Sequence, residues 1–188
     1  MFTNHHSNSW KGAIQYVNDA VYDYSSWLGD YPYDNCTALQ GALEAGGGME
    51  YPTITVISAD ASPKGLDIVI AHEVGHNFFP MIINSDERQW TWMDEGLNTF
   101  VQYLAEKEYD RNYPTRRGPA RNIVDYMRGD KSTMSPIMTN SENIIQFGPN
   151  AYSKPATGLN ILRETIMGRE LFDYAFKKLS PELTRSIL

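Results

Sequence analysis

The chain has one cysteine, no long apolar run and no excess of basic charge, and each lack removes a class of function. With a single Cys36 among 188 residues, no intrachain disulfide can form. No histidine is paired with it in the sequence, so it reads as a small packed side chain rather than a nucleophile. No stretch approaches the roughly 20 apolar residues of a membrane helix. The start, Met1-Phe2-Thr3-Asn4-His5-His6, lacks the apolar centre of a secretory leader. His5 and His6 are adjacent, do not share a face of a helix or strand, and read as solvated rather than as a metal site. A net charge of −7 argues against a nucleic-acid backbone as partner. There is no internal repeat and no low-complexity segment.

What remains is the composition of a globular domain, with 41% hydrophobic and 21% charged residues. At this length a single domain with its own core is expected. Apolar residues at 10, 13, 14, 17, 20, 21, 24, 27 and 28 form a helical stripe ending near Gly29. Residues 35–40 suggest a short strand, and Thr53 to Ser58 is a β-rich run. Helices are predicted over 66–79, from Glu95 to about Tyr109, over 120–128 with a cap near Gly129, and over 158–167 and 170–179. Residues 130–149 read as a long loop, which in a compact domain is often functional.

The chemistry lies in His72-Glu73-Val74-Gly75-His76, of the form H-E-x-x-H. Residues four apart share a helix face, so His72 and His76 can grip one metal ion while Glu73 works on its water. The surrounding residues, Leu66 to Phe79, are almost all apolar or glycine, which marks a buried helix stopped by Pro80. Polar groups in such a helix are costly unless partnered, and a metal partners all three. The competing reading is three hydrogen-bonded core residues that match a short pattern by accident. A catalytic zinc takes three protein ligands and keeps one position open. Glu95, nineteen residues beyond His76, opens a second helical pattern and is the candidate third ligand. A helix hairpin would bring it opposite the histidines.

Gly47-Gly48-Met49-Glu50-Tyr51-Pro52, then the histidine motif, then Glu95, then Ala151-Tyr152-Ser153-Lys154, follow an order that resembles the catalytic domain of the aminopeptidase N family. These are gluzincin zinc peptidases that include the leukotriene-hydrolysing enzyme. The resemblance runs from about Trp10 to Ile166 and implies an α+β, thermolysin-like catalytic domain, mostly helical with a small β-sheet. It implies one Zn2+ per chain on His72, His76 and Glu95, with Glu73 as general base. It assigns Tyr152 a hydrogen bond to the reaction's oxyanion, a role that nothing else picks out among twelve tyrosines. Gly47, Gly48, Met49 and Glu50 would bind substrate. The Glu50 carboxylate would take the free α-ammonium, and Gly46 to Gly48 would let backbone approach the ligand closely. The expected partners are therefore peptides with a free N-terminus.

Two positions depart from the family pattern. Tyr51 stands where asparagine is common. Pro155 follows Lys154 in place of glycine, and should alter the turn behind Tyr152. The chain is also short for the family, so residues 1–188 are expected to be a single catalytic domain without the family's N-terminal β-domain and C-terminal helical domain. Two other function classes stay open from the residues: another zinc hydrolase on the same site, either an endopeptidase or an epoxide hydrolase, and a non-catalytic relative that binds proteins.

Overall fold

A computed structural model describes residues 8–43, 47–58 and 62–185. His5, His6 and Gly46 lie outside the described residues. The chain divides between Ile82 and Ile83 into two compact units. Its architecture is α+β, mostly helical with one small sheet.

In the first unit, α1 (Ala13–Leu28) follows a single 3-10 turn, Asn8–Gly12. Trp10, Ala13, Ala20, Tyr24, Trp27 and Leu28 from the predicted stripe are buried, whereas Ile14 faces solvent. Gly29 ends the helix at φ 100°, a left-handed value that glycine adopts without strain. The sheet has strands β1 (Thr37–Gly41), β2 (Gly48–Met49) and β3 (Ile54–Ser58), in the order β1-β3-β2. β1 pairs parallel to β3, and β2 pairs antiparallel to it. The sequence did not announce β2, because two residues in a glycine run carry no periodicity.

The helix α2 (Pro63–Gly75) carries the histidine motif. Ser62 caps it by accepting from Gly65 N–H, and Pro63 occupies the first turn, where its missing N–H costs nothing. Leu66, Ile70 and Val74 recur every four residues and are fully buried. They pack with Trp10, Ala13, Ala20, Ala38 and Ile57 into one core. The predicted helix ran to Phe79, but α2 ends at Gly75. A wide turn, Asn77–Ile82, follows, and Phe79 inside it is extended (φ −122°, ψ 112°). The cause is Pro80, since a residue preceding proline is pushed out of the helical region.

Asn77 ties this turn to the sheet. Thr53 N–H donates to Asn77 Oδ1 at 2.8 Å, and Asn77 Nδ2 donates to Val74 O at 3.1 Å. Thr53 sits at φ 64°, a strained value for a β-branched residue. Its N–H bond to buried Asn77 ties it to the turn.

In the second unit, a wide turn Trp92–Gly96 leads into α3 (Leu97–Tyr109). A 3-10 turn, Ala120–Ile123, leads into α4 (Val124–Arg128), which ends at Gly129. Phe100, Val101, Leu104 and Ala105 of α3 are buried. The ring of Phe100 meets Phe172 and Phe176 edge-on at 5.5 and 5.4 Å. Both belong to α6 (Arg169–Arg185), four residues apart on one face. Arg163 grips Asp173 with Nε and Nη2 at 2.6 and 2.8 Å, a forked pairing that fixes the start of α6.

Residues 130–149 are more ordered than a loop reading suggests. Asp130 and Asn140 cap two single turns, Lys131–Thr133 and Ser141–Asn143. Ser135 is the hub: its carbonyl accepts from Asn150 Nδ2 at 2.7 Å and from Lys154 Nζ at 2.6 Å. Helical geometry then runs from the turn Pro149–Ser153 into α5 (Lys154–Ile161) and on through Leu162–Ile166. The structure therefore has no turn behind Tyr152 for Pro155 to alter. Pro155 sits in the first turn of α5, where proline is well tolerated.

Removing the Asn77 amide leaves the Thr53 N–H and the Val74 carbonyl without these partners. Asn77→Ala should cost about 1–3 kcal/mol, read as a lower midpoint in thermal or urea unfolding of the purified chain.

Candidate metal centre

His72 lies in the last turn of α2 and His76 caps it. Their rings stand edge to face, with centroids 4.7 Å apart and planes at 88°. The two Nε2 atoms face each other at 3.2 Å. Two nitrogens bound at 2.0–2.1 Å to one zinc with a tetrahedral angle would stand about 3.3 Å apart. The pair therefore has the spacing of one edge of a tetrahedral zinc site. His76 is almost fully buried. Its Nδ1 lies 2.8 Å from the Phe79 carbonyl. Nδ1–H must be the donor in that bond, which leaves the Nε2 lone pair for a metal. The carbonyl is available because Pro80 keeps Phe79 out of the helix.

Glu73 is buried beside them. The edge strand β2 passes directly over it: a Cβ on Gly48 would meet Glu73 Cγ at 2.4 Å and Cδ at 2.6 Å. Only glycine lets the backbone come this close. Glu50 follows at the end of β2. One ligand-type atom each from Glu50, Glu73 and His76 lies within 4.8 Å of the others. The first unit thus gathers His72, Glu73, His76 and Glu50, with Gly48 as the spacer that allows it.

The second unit gathers Glu95 and Tyr152. Tyr152 Oη–H donates to Glu95 Oε1 at 2.5 Å. Burial raises the Tyr152 pKa most, the charge of Glu95 and the bond to it raise it further, and Arg117 opposes the shift. The phenol is protonated and available as a donor throughout the neutral range. Glu95 is brought to Tyr152 by close packing of the turn after it: a Cβ on Gly96 would meet Pro155 Cγ at 2.4 Å and Ala151 O at 3.1 Å.

These two clusters gain a common meaning from known proteins. The description "Peptidase family M1 domain" matches residues 22–180. The chain belongs to the M1 peptidase family. It is similar to glutamyl aminopeptidase of Bos taurus, 29% identical over 143 residues that cover 70% of this chain and 15% of that protein. It is also similar to endoplasmic reticulum aminopeptidase 1 of Homo sapiens, 26% identical over 156 residues, covering 76% of this chain and 17% of that protein. Among solved structures, an M1 zinc metallopeptidase from Deinococcus radiodurans shares the fold at TM-score 0.68 and 17% identity, covering 98% of this chain and 39% of that one. Yeast LTA4 hydrolase in complex with bestatin matches at TM-score 0.59 and 19% identity, over 89% of this chain and 29% of that one. The chain thus spans a small part of the length of these relatives.

Membership in a family of zinc metallopeptidases agrees with the nitrogen donors of α2. Sequence reasoning missed two kinds of support. Asn77 and Phe79 hold the end of the motif helix, and their signal was Pro80, read only as a stop. Arg117, whose guanidinium carbon lies 4.2 Å over the Tyr152 ring, left no pattern in the sequence. Cys36 is half-buried, and burial pushes its thiol pKa up against the lowering effect of a hydrogen bond with Tyr31. The thiol form therefore prevails, which suits packing and not nucleophilic attack.

Gly48→Ala should displace the Glu73 side chain and cost about 1–3 kcal/mol, read as a lower midpoint in thermal unfolding. Zinc content, measured alongside on the same preparation, should stay that of the parent chain.

Proposed function

We propose that this M1-family chain carries the centre of a zinc aminopeptidase, with His72, His76 and Glu95 as ligands of one zinc. The observation that carries this reading is the pair of converging Nε2 atoms on α2, with Glu73 and Glu50 gathered around it. Glu95 enters through the spacing of the motif and the family to which the chain belongs. When bound, the zinc supplies Lewis acidity and a nucleophilic water near neutral pH.

The protein's own groups do the rest. Glu73 accepts the proton of the attacking water and returns it to the leaving nitrogen. Tyr152 donates its Oη–H to the developing oxyanion, a contribution typically worth about a hundred- to a thousand-fold in rate. Glu50 receives the α-ammonium of the substrate through charge-assisted hydrogen bonds of roughly 1.5–3 kcal/mol each. With that amine fixed, the first peptide bond is the one presented for cleavage. β2 is an edge strand, so Gly47, Gly48 and Met49 can pair with an extended substrate backbone.

Glu73→Gln should lower kcat by about 10²–10⁴-fold while zinc stays bound; full activity in that variant would refute the mechanism. Glu50→Ala should raise KM for free-amine substrates by about tenfold or more. A panel of aminoacyl chromogenic amides and their N-acetylated forms measures this. Equal turnover of blocked and free forms would favour an endopeptidase instead.

A further inference from the structure

Tyr152 is held from three sides. Its hydroxyl meets Glu95 at 2.5 Å. The Phe147 ring approaches it edge-on, with centroids 6.3 Å apart. The Arg117 guanidinium lies over its face, with Cζ 4.2 Å from the ring centroid. Beside Arg117 the backbone is tightly constrained. The next residue, Gly118, is buried at φ 103°, in the left-handed region. A Cβ there would strike the Tyr103 ring of α3 at 2.6 Å. Two independent constraints therefore demand glycine beside Arg117, where the chain passes close to the Tyr103 ring of α3. Burial works against the charge of Arg117, while Tyr152 and Glu95 favour it. A half-buried cation that costs something to keep is held where it touches the ring.

We propose that Arg117 is a positioning residue for Tyr152, using its guanidinium plane and the Gly118 turn to hold the phenol ring at the angle from which its hydroxyl donates. This rests on the reading of Tyr152 as the oxyanion donor. Oη is fixed to the ring, so in serving an oxyanion in place of Glu95 only the O–H bond turns about Cζ–Oη while the ring stays. A face-on cation fixes the ring without engaging the hydroxyl. Arginine is suited to this because its planar head stacks on aromatic rings, which the compact ammonium of lysine does not do.

The test compares Arg117→Met, Arg117→Lys, Tyr152→Phe and the double variant Arg117→Met with Tyr152→Phe in the full chain. Arg117→Met should lower kcat by about tenfold, the scale of a partly buried cation–π contact, with KM little changed. Arg117→Lys should recover only part of the loss. In the Tyr152→Phe background, Arg117→Met should have no further effect on kcat. A second readout needs no activity or metal: NMR of the Tyr152 ring protons, assigned through Tyr152→Phe. Those resonances should move toward values of a solvated tyrosine in Arg117→Met while the remaining spectrum keeps its native dispersion. Unchanged Tyr152 resonances, or a kcat loss that persists in full without the Tyr152 hydroxyl, would overturn the proposal. Full kcat in Tyr152→Phe would instead defeat the oxyanion-donor reading, and the resonances would still report whether Arg117 orients the ring. If Arg117→Met does not fold, Arg117→Lys carries both readouts.

Discussion

Two imidazole nitrogens 3.2 Å apart at the end of a buried helix set the terms for the rest of the first unit. His76 Nε2 presents its lone pair there, so His72 Nε2 either donates a hydrogen to it or shares a cation with it. A shared cation would take both lone pairs at once. Neighbouring features of the unit hold the end of α2 or gather carboxylates beside it. The apolar row Leu66, Ile70 and Val74 seats α2 on its core. Pro80 turns Phe79 out of the helix, and the Phe79 carbonyl fixes the His76 ring. Asn77 locks the same turn to the strained Thr53 of the sheet. Gly48 lets an edge strand bring Glu50 to Glu73.

The second unit solves a different problem, the placement of one hydroxyl. Tyr152 follows a long irregular segment, and an irregular segment alone orients nothing. Order comes from the Ser135 carbonyl, which receives both Asn150 and Lys154 on either side of Tyr152 in the sequence. It also comes from helix packing: Gly96 admits Pro155, so Glu95 and Tyr152 approach from two packed turns. The substitution of proline for glycine after Lys154 thus acts as a packing surface.

The motif, its helix and two of the three strands were legible in the sequence, because periodicity and the i, i+4 rule operate within one element. The two-residue β2 was not, since it is defined by its pairing with β3 and has no pattern of its own. The end of α2 was misplaced by a few residues: Pro80 marks a stop, but its effect on Phe79 begins earlier. Asn77, Ser135 and Arg117 were invisible for a common reason. Each acts through a partner far along the chain, and a lone polar residue in sequence does not reveal which carbonyl or ring it will meet. Glu50 and Tyr152 were found only through the resemblance, since a glutamate after glycines and one tyrosine in twelve carry no signal by themselves.

The central claim is that His72 and His76 are arranged for a metal rather than for each other. Elemental analysis after zinc loading and exhaustive dialysis, paired with thermal unfolding, tests it most directly. The account predicts about one zinc per chain, a higher unfolding midpoint in its presence, and loss of both effects in His72→Ala and in His76→Ala. A chain that retains no zinc, or one whose zinc binding is indifferent to either substitution, would contradict it.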